Sequence, residues 1–374
     1  MDVQSAPGID TLMRIVFRTD ASIVIGTGHV MRCLTLADVL REFGASCIFI
    51  CREHPGHLLD LIRQRGYEAW PLPAGEGHFQ KAGKSAHAGW LGTDWQTDAD
   101  QTYEMLGQQA VEWLVVDHYA LDIEWESRLR PRCRNLMVID DLADRPHDCD
   151  LLLDQNLGRR EQDYCDLLTP SAHCLIGPQF ALLRPDFAQW RERSLAQRVT
   201  QKPKSLLISM GGTDHSNVTG KVLNCLRTCD LPSALTITVV MGPHAPWLAQ
   251  VRTQAAEMPW STRVLTGVSN MAQLMAASDL AIGAAGGTAW ERCALGVPAL
   301  LLVLAENQKA GAEALQKAGA AVVVQKVDDI GDALVRIIGS GTPNVLRRLS
   351  QSAASLVDGG GAARVRQRMI DHHV

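Results

Sequence analysis

Short apolar runs alternate with amphipathic stretches along this chain, and the first of each stand together near its start. Residues 13–19 (MRIVFRT) read as a buried strand, and residues 21–28 as a loop closing on Gly26-Thr27-Gly28. Val30, Leu34, Ala37, Leu40 and Phe43 recur at spacings of three and four, which predicts a helix over 30–43 that Gly44 ends. Residues 47–51 (CIFIC) form the next strand, so strand, helix and strand open a doubly wound α/β domain. Further runs at 113–117 (WLVVD), 136–140 (LMVID) and 151–154 (LLLD) each end in Asp, where a parallel strand delivers its functional loop. Residues 74–102 are Gly-rich and polar without a period and read as a long loop or insertion.

Polar, basic and Pro-containing residues at 191–205 read as a linker, after which the pattern starts again. Strands are predicted at 205–210, 235–241, 263–266, 280–283 and 299–303, with helices at 216–229, 271–277, 289–295 and beyond 308. The reading is therefore α/β, with two facing Rossmann-like domains, residues 1–198 and 199–374, and a ligand cleft between them at the carboxyl ends of the strands. The length agrees: 374 residues at ~150 per domain predict two domains.

Charge narrows the partners. Lys and Arg total 36 against 41 Asp and Glu, a net −5 with no long basic run, which argues against nucleic acid or an anionic membrane surface. No apolar stretch approaches the ~20 residues that span a bilayer, and residues 1–11 carry no signal-peptide core. A soluble, cytoplasmic protein with no obligate protein partner is expected. The ten cysteines include no C-x-x-C pair and are expected to be buried, reduced thiols. His54 and His57 stand three apart without a supporting ligand cluster, so neither a metal nor another cofactor is expected.

Candidate chemistry lies at the Gly-rich turns. In Ile25-Gly26-Thr27-Gly28-His29-Val30-Met31-Arg32, the glycines permit a tight strand-to-helix turn, and His29 falls in the first helical turn. The positive end of the helix dipole disfavours an imidazolium there, which suits a general base. The spacing alone equally fits a histidine that caps the helix or bonds within the core. Gly286-Gly287-Thr288 with Glu291 places backbone N–H groups for a diphosphate and a carboxylate for ribose hydroxyls, or else makes a packing turn with a solvated Glu. Gly211-Gly212-Thr213 repeats the arrangement. The pattern is neither a dinucleotide fingerprint nor a P-loop. Asp117-His118-Tyr119, Asp140-Asp141, Asp154-Gln155-Asn156 and Glu306-Asn307-Gln308 sit at strand ends, where ordering a loop is the commoner role.

In order along the chain, Arg18-Thr19-Asp20, the His29 loop, Val116-Asp117-His118-Tyr119, Ile139-Asp140-Asp141, Asp154-Gln155-Asn156, Met210-Gly211-Gly212-Thr213-Asp214, Gly286-Gly287-Thr288-Ala289-Trp290-Glu291 and Glu306-Asn307-Gln308 form one set. The set resembles the UDP-sugar hydrolases of pseudaminic acid biosynthesis, the PseG family, which is similar to the glycosyltransferase MurG. The resemblance runs from Arg14 to about Leu356. It implies a GT-B fold and metal-independent hydrolysis of UDP-2,4-diacetamido-2,4,6-trideoxy-β-L-altropyranose to UDP and the free sugar. That sugar feeds surface polysaccharide and flagellin glycosylation. It implies His29 as the base that activates water, and Asp20, Gly28, Arg32, Tyr119, Asn156 and Asn307 on the sugar side. UDP would lie at Gly211, Gly212, Val268, Gly286, Gly287, Thr288 and Glu291. The alternatives are a MurG-like UDP-sugar glycosyltransferase and a catalytically silent nucleotide-sugar sensor. Two departures stand out, the length of residues 74–89 and an N-terminal extension over residues 1–12.

Overall fold

The computed structural model describes residues 13–75, 86–198, 203–339 and 343–372. Among these, the strands assemble into two sheets. The first holds β1 (Arg14–Thr19), β2 (Ser46–Arg52), β3 (Glu68–Leu72), β4 (Val111–Asp117), β5 (Cys133–Ile139), β6 (Leu151–Asp154) and β7 (His173–Ile176), in the order β3-β2-β1-β4-β5-β6-β7. The second holds β8 (Ser205–Ser209), β9 (Thr236–Met241), β10 (Ser261–Thr266), β11 (Leu280–Ala284), β12 (Ala299–Leu302) and β13 (Val322–Val324), in the order β10-β9-β8-β11-β12-β13. Neighbouring strands pair in parallel throughout both sheets.

Parallel sheets are covered on both faces, which is why the central strands are continuous apolar runs. Ile15, Phe17, Trp113 and Val115 enter the core on one face of the first sheet, while Val16, Leu114 and Val116 enter the core on the other. The second sheet divides likewise: Leu206 and Ile208 go to one face, and Leu207 goes to the other with Leu301. The two-fold α/β architecture predicted above is the one observed.

Three local expectations change. A helix, Trp95–Leu106, and a short turn of 3₁₀ helix, Ala88–Leu91, occupy much of the span read as a loop. The helix hides from hydrophobic periodicity because Asp98 and Thr102 are among its buried residues. The first part of the span read as linker, residues 191–197, belongs instead to helix Pro185–Gln197. Cys165 is exposed, whereas Cys33, Cys47, Cys51, Cys133, Cys149 and Cys293 are buried; all ten thiols are free. The N-terminal extension, residues 76–85 and the domain boundary at 198/199 with residues 199–202 fall at or outside the limits of the described residues. No helix among those described is long and apolar enough to cross a membrane.

Candidate active site

β1 delivers the chain into a tight loop before helix Gly28–Glu42. Ser22 Oγ accepts the backbone N–H groups of Val24 and Ile25 at 3.1 and 2.9 Å, and Gly26 N–H donates to Ser22 O at 2.8 Å. Gly26 takes a φ of 83°, which suits a residue without Cβ. The helix then starts without a side-chain cap and without an acidic residue in its first turn. His29 sits in that turn, only 8% exposed.

β4 supplies its partner. Asp117 stands at the carboxyl end of β4, beside Thr19 in the sheet register, with Oδ1 2.6 Å from His29 Nδ1. One helical turn beyond His29, Arg32 grips the same carboxylate with Nε at 2.6 Å and Nη2 at 2.7 Å. Burial opposes ionisation of Asp117, but Arg32 and His29 outweigh it and hold the carboxyl well below the usual range. An ionised carboxylate can only accept, so His29 donates its Nδ1 hydrogen to Asp117, and in the neutral ring Nε2 is the nitrogen with the lone pair. Asp117 thus fixes the orientation of the His29 ring.

Asp141, just beyond β5, gathers most of the remaining first-half residues. Its Oδ2 takes Arg32 Nη1 and the Tyr119 hydroxyl, each at 2.6 Å, and its Oδ1 takes Asn156 Nδ2 at 3.3 Å. Burial and the Asp141 carboxylate both push the Tyr119 hydroxyl well above its ordinary pKa, so it stays protonated. Arg32, Tyr119 and Asn156 thus share one carboxylate beside His29. Asp20 does not join them. It is fully buried, paired with Arg18 at 2.7 Å, and it accepts the Arg52 N–H at 2.6 Å. In this structure Asp20, the expected sugar contact, exposes no surface and acts as an internal support. It ties β1 to β2 and, through Arg18 and Asp98, to helix Trp95–Leu106.

The site also contains residues absent from the expected set. Asp117 and Asp141 read in sequence only as strand-end residues. Trp90, from the expected loop, stacks on Tyr119 with ring centres 5.5 Å apart and approaches His29 edge-on at 6.2 Å. His87 packs on both Trp90 and Tyr119. Nothing in the pattern of residues 74–102 marks these two.

In the second half, Gly211 (φ 97°) and Gly212 are exposed at the end of β8, and Gly212 O accepts the Gly242 N–H at 3.1 Å. Gly287 is exposed after β11, with Gly286 and Thr288 half-buried around it. Thr288 Oγ1 accepts from the buried Arg292 Nη1 at 3.3 Å. Burial pushes the Glu291 carboxyl up to about 7 against the opposing pull of Arg184 and Arg292. Asn307 is exposed in the turn Glu306–Gln308, and the neighbouring Gln308 amide reaches the Gly286 turn, where an added Cβ would lie 3.5 Å from it. Val268 is half-buried against the core.

The halves meet at these turns. A Cβ on Gly212 would lie 4.0 Å from Thr27 Oγ1, and one on Gly311 would lie 3.8 Å from Asn156 Oδ1. His215 Nε2 donates to Ile23 O at 3.1 Å. The His29 turn of one half therefore adjoins the Gly211-Gly212 turn of the other.

Residues 206–367 match the glycosyltransferase family 28 C-terminal domain. Over the whole chain, the structure is similar to MurG of Acinetobacter baumannii, with TM-score 0.68, 15% identity and coverage of 96% of this chain and 99% of that one. The fold is of the GT-B type. The UDP-2,4-diacetamido-2,4,6-trideoxy-β-L-altropyranose hydrolase of Campylobacter jejuni is 25% identical over 310 residues, 82% of this chain and 97% of that protein. The resemblance to the PseG family therefore extends over most of the chain. An uncharacterised protein of Methanocaldococcus jannaschii is 24% identical over 302 residues, 79% of this chain and 57% of its own length.

Proposed function

We propose that this protein hydrolyses UDP-2,4-diacetamido-2,4,6-trideoxy-β-L-altropyranose to UDP and the free sugar. The observation that carries the reading is the His29–Asp117 pair at 2.6 Å, whose loop adjoins the Gly211-Gly212 turn of the part that matches the family 28 domain. The Campylobacter jejuni relative, named for this hydrolysis, supports the substrate. Residues 1–198 hold the sugar and the water, and residues 199–374 hold the nucleotide.

The water oxygen attacks the anomeric carbon from the side opposite UDP, and its proton passes to His29 Nε2. The bond from that carbon to the diphosphate oxygen breaks, and its electron pair leaves with UDP, so the configuration inverts. Asp117 offsets the charge arriving on the imidazole. Backbone N–H groups at Gly286, Gly287 and Thr288 meet the charge arriving on the β-phosphate, where such donors contribute a few kcal/mol. Glu291 accepts from the ribose, Gly211, Gly212 and Val268 border the nucleotide, and Gly28, Arg32, Tyr119, Asn156 and Asn307 border the sugar. As drawn, protein groups alone carry the step, and the cytoplasm is where such a UDP-sugar would be met.

His29→Asn should abolish UDP release while calorimetry still detects UDP binding; undiminished turnover would refute the base. Reaction in oxygen-18 water should label the sugar, whereas label in UDP would mean attack at phosphorus. The family 28 match favours one second reading, a MurG-like glycosyltransferase. UDP release that begins only on adding an acceptor would select it.

A further inference from the structure

We infer that Trp90 restricts the nucleophile to water, an inference that rests on the hydrolase reading above. His29 is a base with little room in front of it: its side chain is 9% exposed. Its Nδ1 side is closed by Asp117 and Arg32. Tyr119 packs against the imidazole with ring centres 4.6 Å apart and planes 85° apart, and Trp90 stacks on Tyr119 with planes only 25° apart. His87 backs the Trp90 indole at 4.6 Å.

The segment carrying Trp90 is closed by its own turn and anchored just after it. Trp90 N–H donates to His87 O at 2.8 Å, and Leu91 is buried in the same core as Val116 and Trp125. Gly92 takes a φ of 74°, where an added Cβ would lie 2.8 Å from His54 Cε1, and its carbonyl packs so closely on Gly75 that a Cβ there would overlap it. An indole held this way is a wall rather than a loose surface group.

Size decides what such a wall admits. Water presents nothing beyond its oxygen. An alcohol brings at least one carbon, which needs space beside the base where the Trp90 and Tyr119 rings lie. Either nucleophile gives the same balance: its oxygen bonds to the anomeric carbon, its proton goes to His29 Nε2, and UDP leaves with the electron pair. The product is the free sugar from water and a glycoside from an alcohol. Excluding one methylene discriminates by ~10–200-fold in well-formed pockets, so one indole suffices to separate the two outcomes.

The test uses the full chain, the UDP-diacetamido sugar and methanol or glycerol, with products resolved by NMR. Wild type and Trp90→Phe should give free sugar with only a small, equal fraction of glycoside. Trp90→Ala should raise the glycoside-to-sugar ratio by about tenfold or more, and Trp90→Leu provides a second truncation should the alanine variant unfold. An unchanged ratio in both truncations, with UDP release intact, overturns the role of Trp90 alone. UDP release by wild type only when an alcohol is present overturns the hydrolase reading, and the water restriction with it.

Discussion

Asp117 and Asp20 show how the same residue type at neighbouring strand ends acquires different work. Both are fully buried and both are held ionised by an arginine. Asp20 spends its acceptors on Arg18 and the Arg52 backbone, deep inside the first half. Asp117 instead holds His29 on one oxygen, and in the proposed reaction the other nitrogen of that ring would act on water. Burial acts in the opposite sense at Glu291, whose carboxyl is pushed from 4.5 up to about 7 because the pull of Arg184 and Arg292 is too weak to offset it. The sign of its pH dependence follows. Between 4.5 and about 7 the folded protein keeps a proton that the unfolded chain has released, so this group's contribution to stability falls as pH rises through that window. Glu291→Gln should flatten that slope in chemical denaturation. If the ionised carboxylate accepts from ribose, UDP affinity should also rise through about pH 7 in wild type more steeply than in Glu291→Gln. Equal slopes by calorimetry would remove Glu291 from the UDP site.

Elements are legible in sequence to the extent that burial forces a pattern on them, as the turn between β8 and its helix illustrates. Gly242 donates its N–H to Gly212 O, and a Cβ on Gly242 would lie 2.1 Å from that oxygen. Gly242→Ala must therefore push the Gly211-Gly212 turn away. A loss of about 1–3 kcal/mol of stability is expected, together with weaker UDP binding. Unchanged affinity would show that this turn does not border the nucleotide. The central strands β1, β4, β5, β6, β8 and β11 were readable because both faces are covered and every position tends to be apolar. β3, β7 and β13 lie at sheet edges and mix exposed or half-buried residues, and EAWPL, HCLI and VVV gave no strand, while β10, also an edge, was read over 263–266 alone. The helix Trp95–Leu106 was obscured for another reason. Its inward Asp98 meets Arg18, Arg52 and Trp125, a polar core that periodicity scores as surface. The site divides the same way: His29 was visible through its glycines, whereas Trp90 and Asp141 depend on contacts that only the fold creates.

At the scale of the whole molecule, the chain does not divide cleanly at residue 198. Helix Pro185–Gln197 precedes that point yet packs on the second half. Arg191 donates to the carbonyls of Ala294, Ala354 and Val357, and Ser194 Oγ donates to Leu295 O at 2.7 Å. Helix Gly361–Asp371 makes the reverse crossing. Ala362, Val365 and Met369 lie in the first-half core with Val30, Leu34 and Phe17. The two halves thus exchange helices, and the helix that carries His29 at its start is supported partly by the last turns of the chain. Met369 is fully buried, so Met369→Ala should remove about 2–5 kcal/mol. That loss should fall on the half that holds His29, not on the half to which the residue belongs by sequence. UDP supplies the means to tell them apart, because a ligand raises the stability of the unit that binds it. In calorimetric scans, the transition that UDP raises should stay in place in Met369→Ala while the other moves down. A variant in which only the UDP-sensitive transition falls would show the final helix supporting the nucleotide half instead.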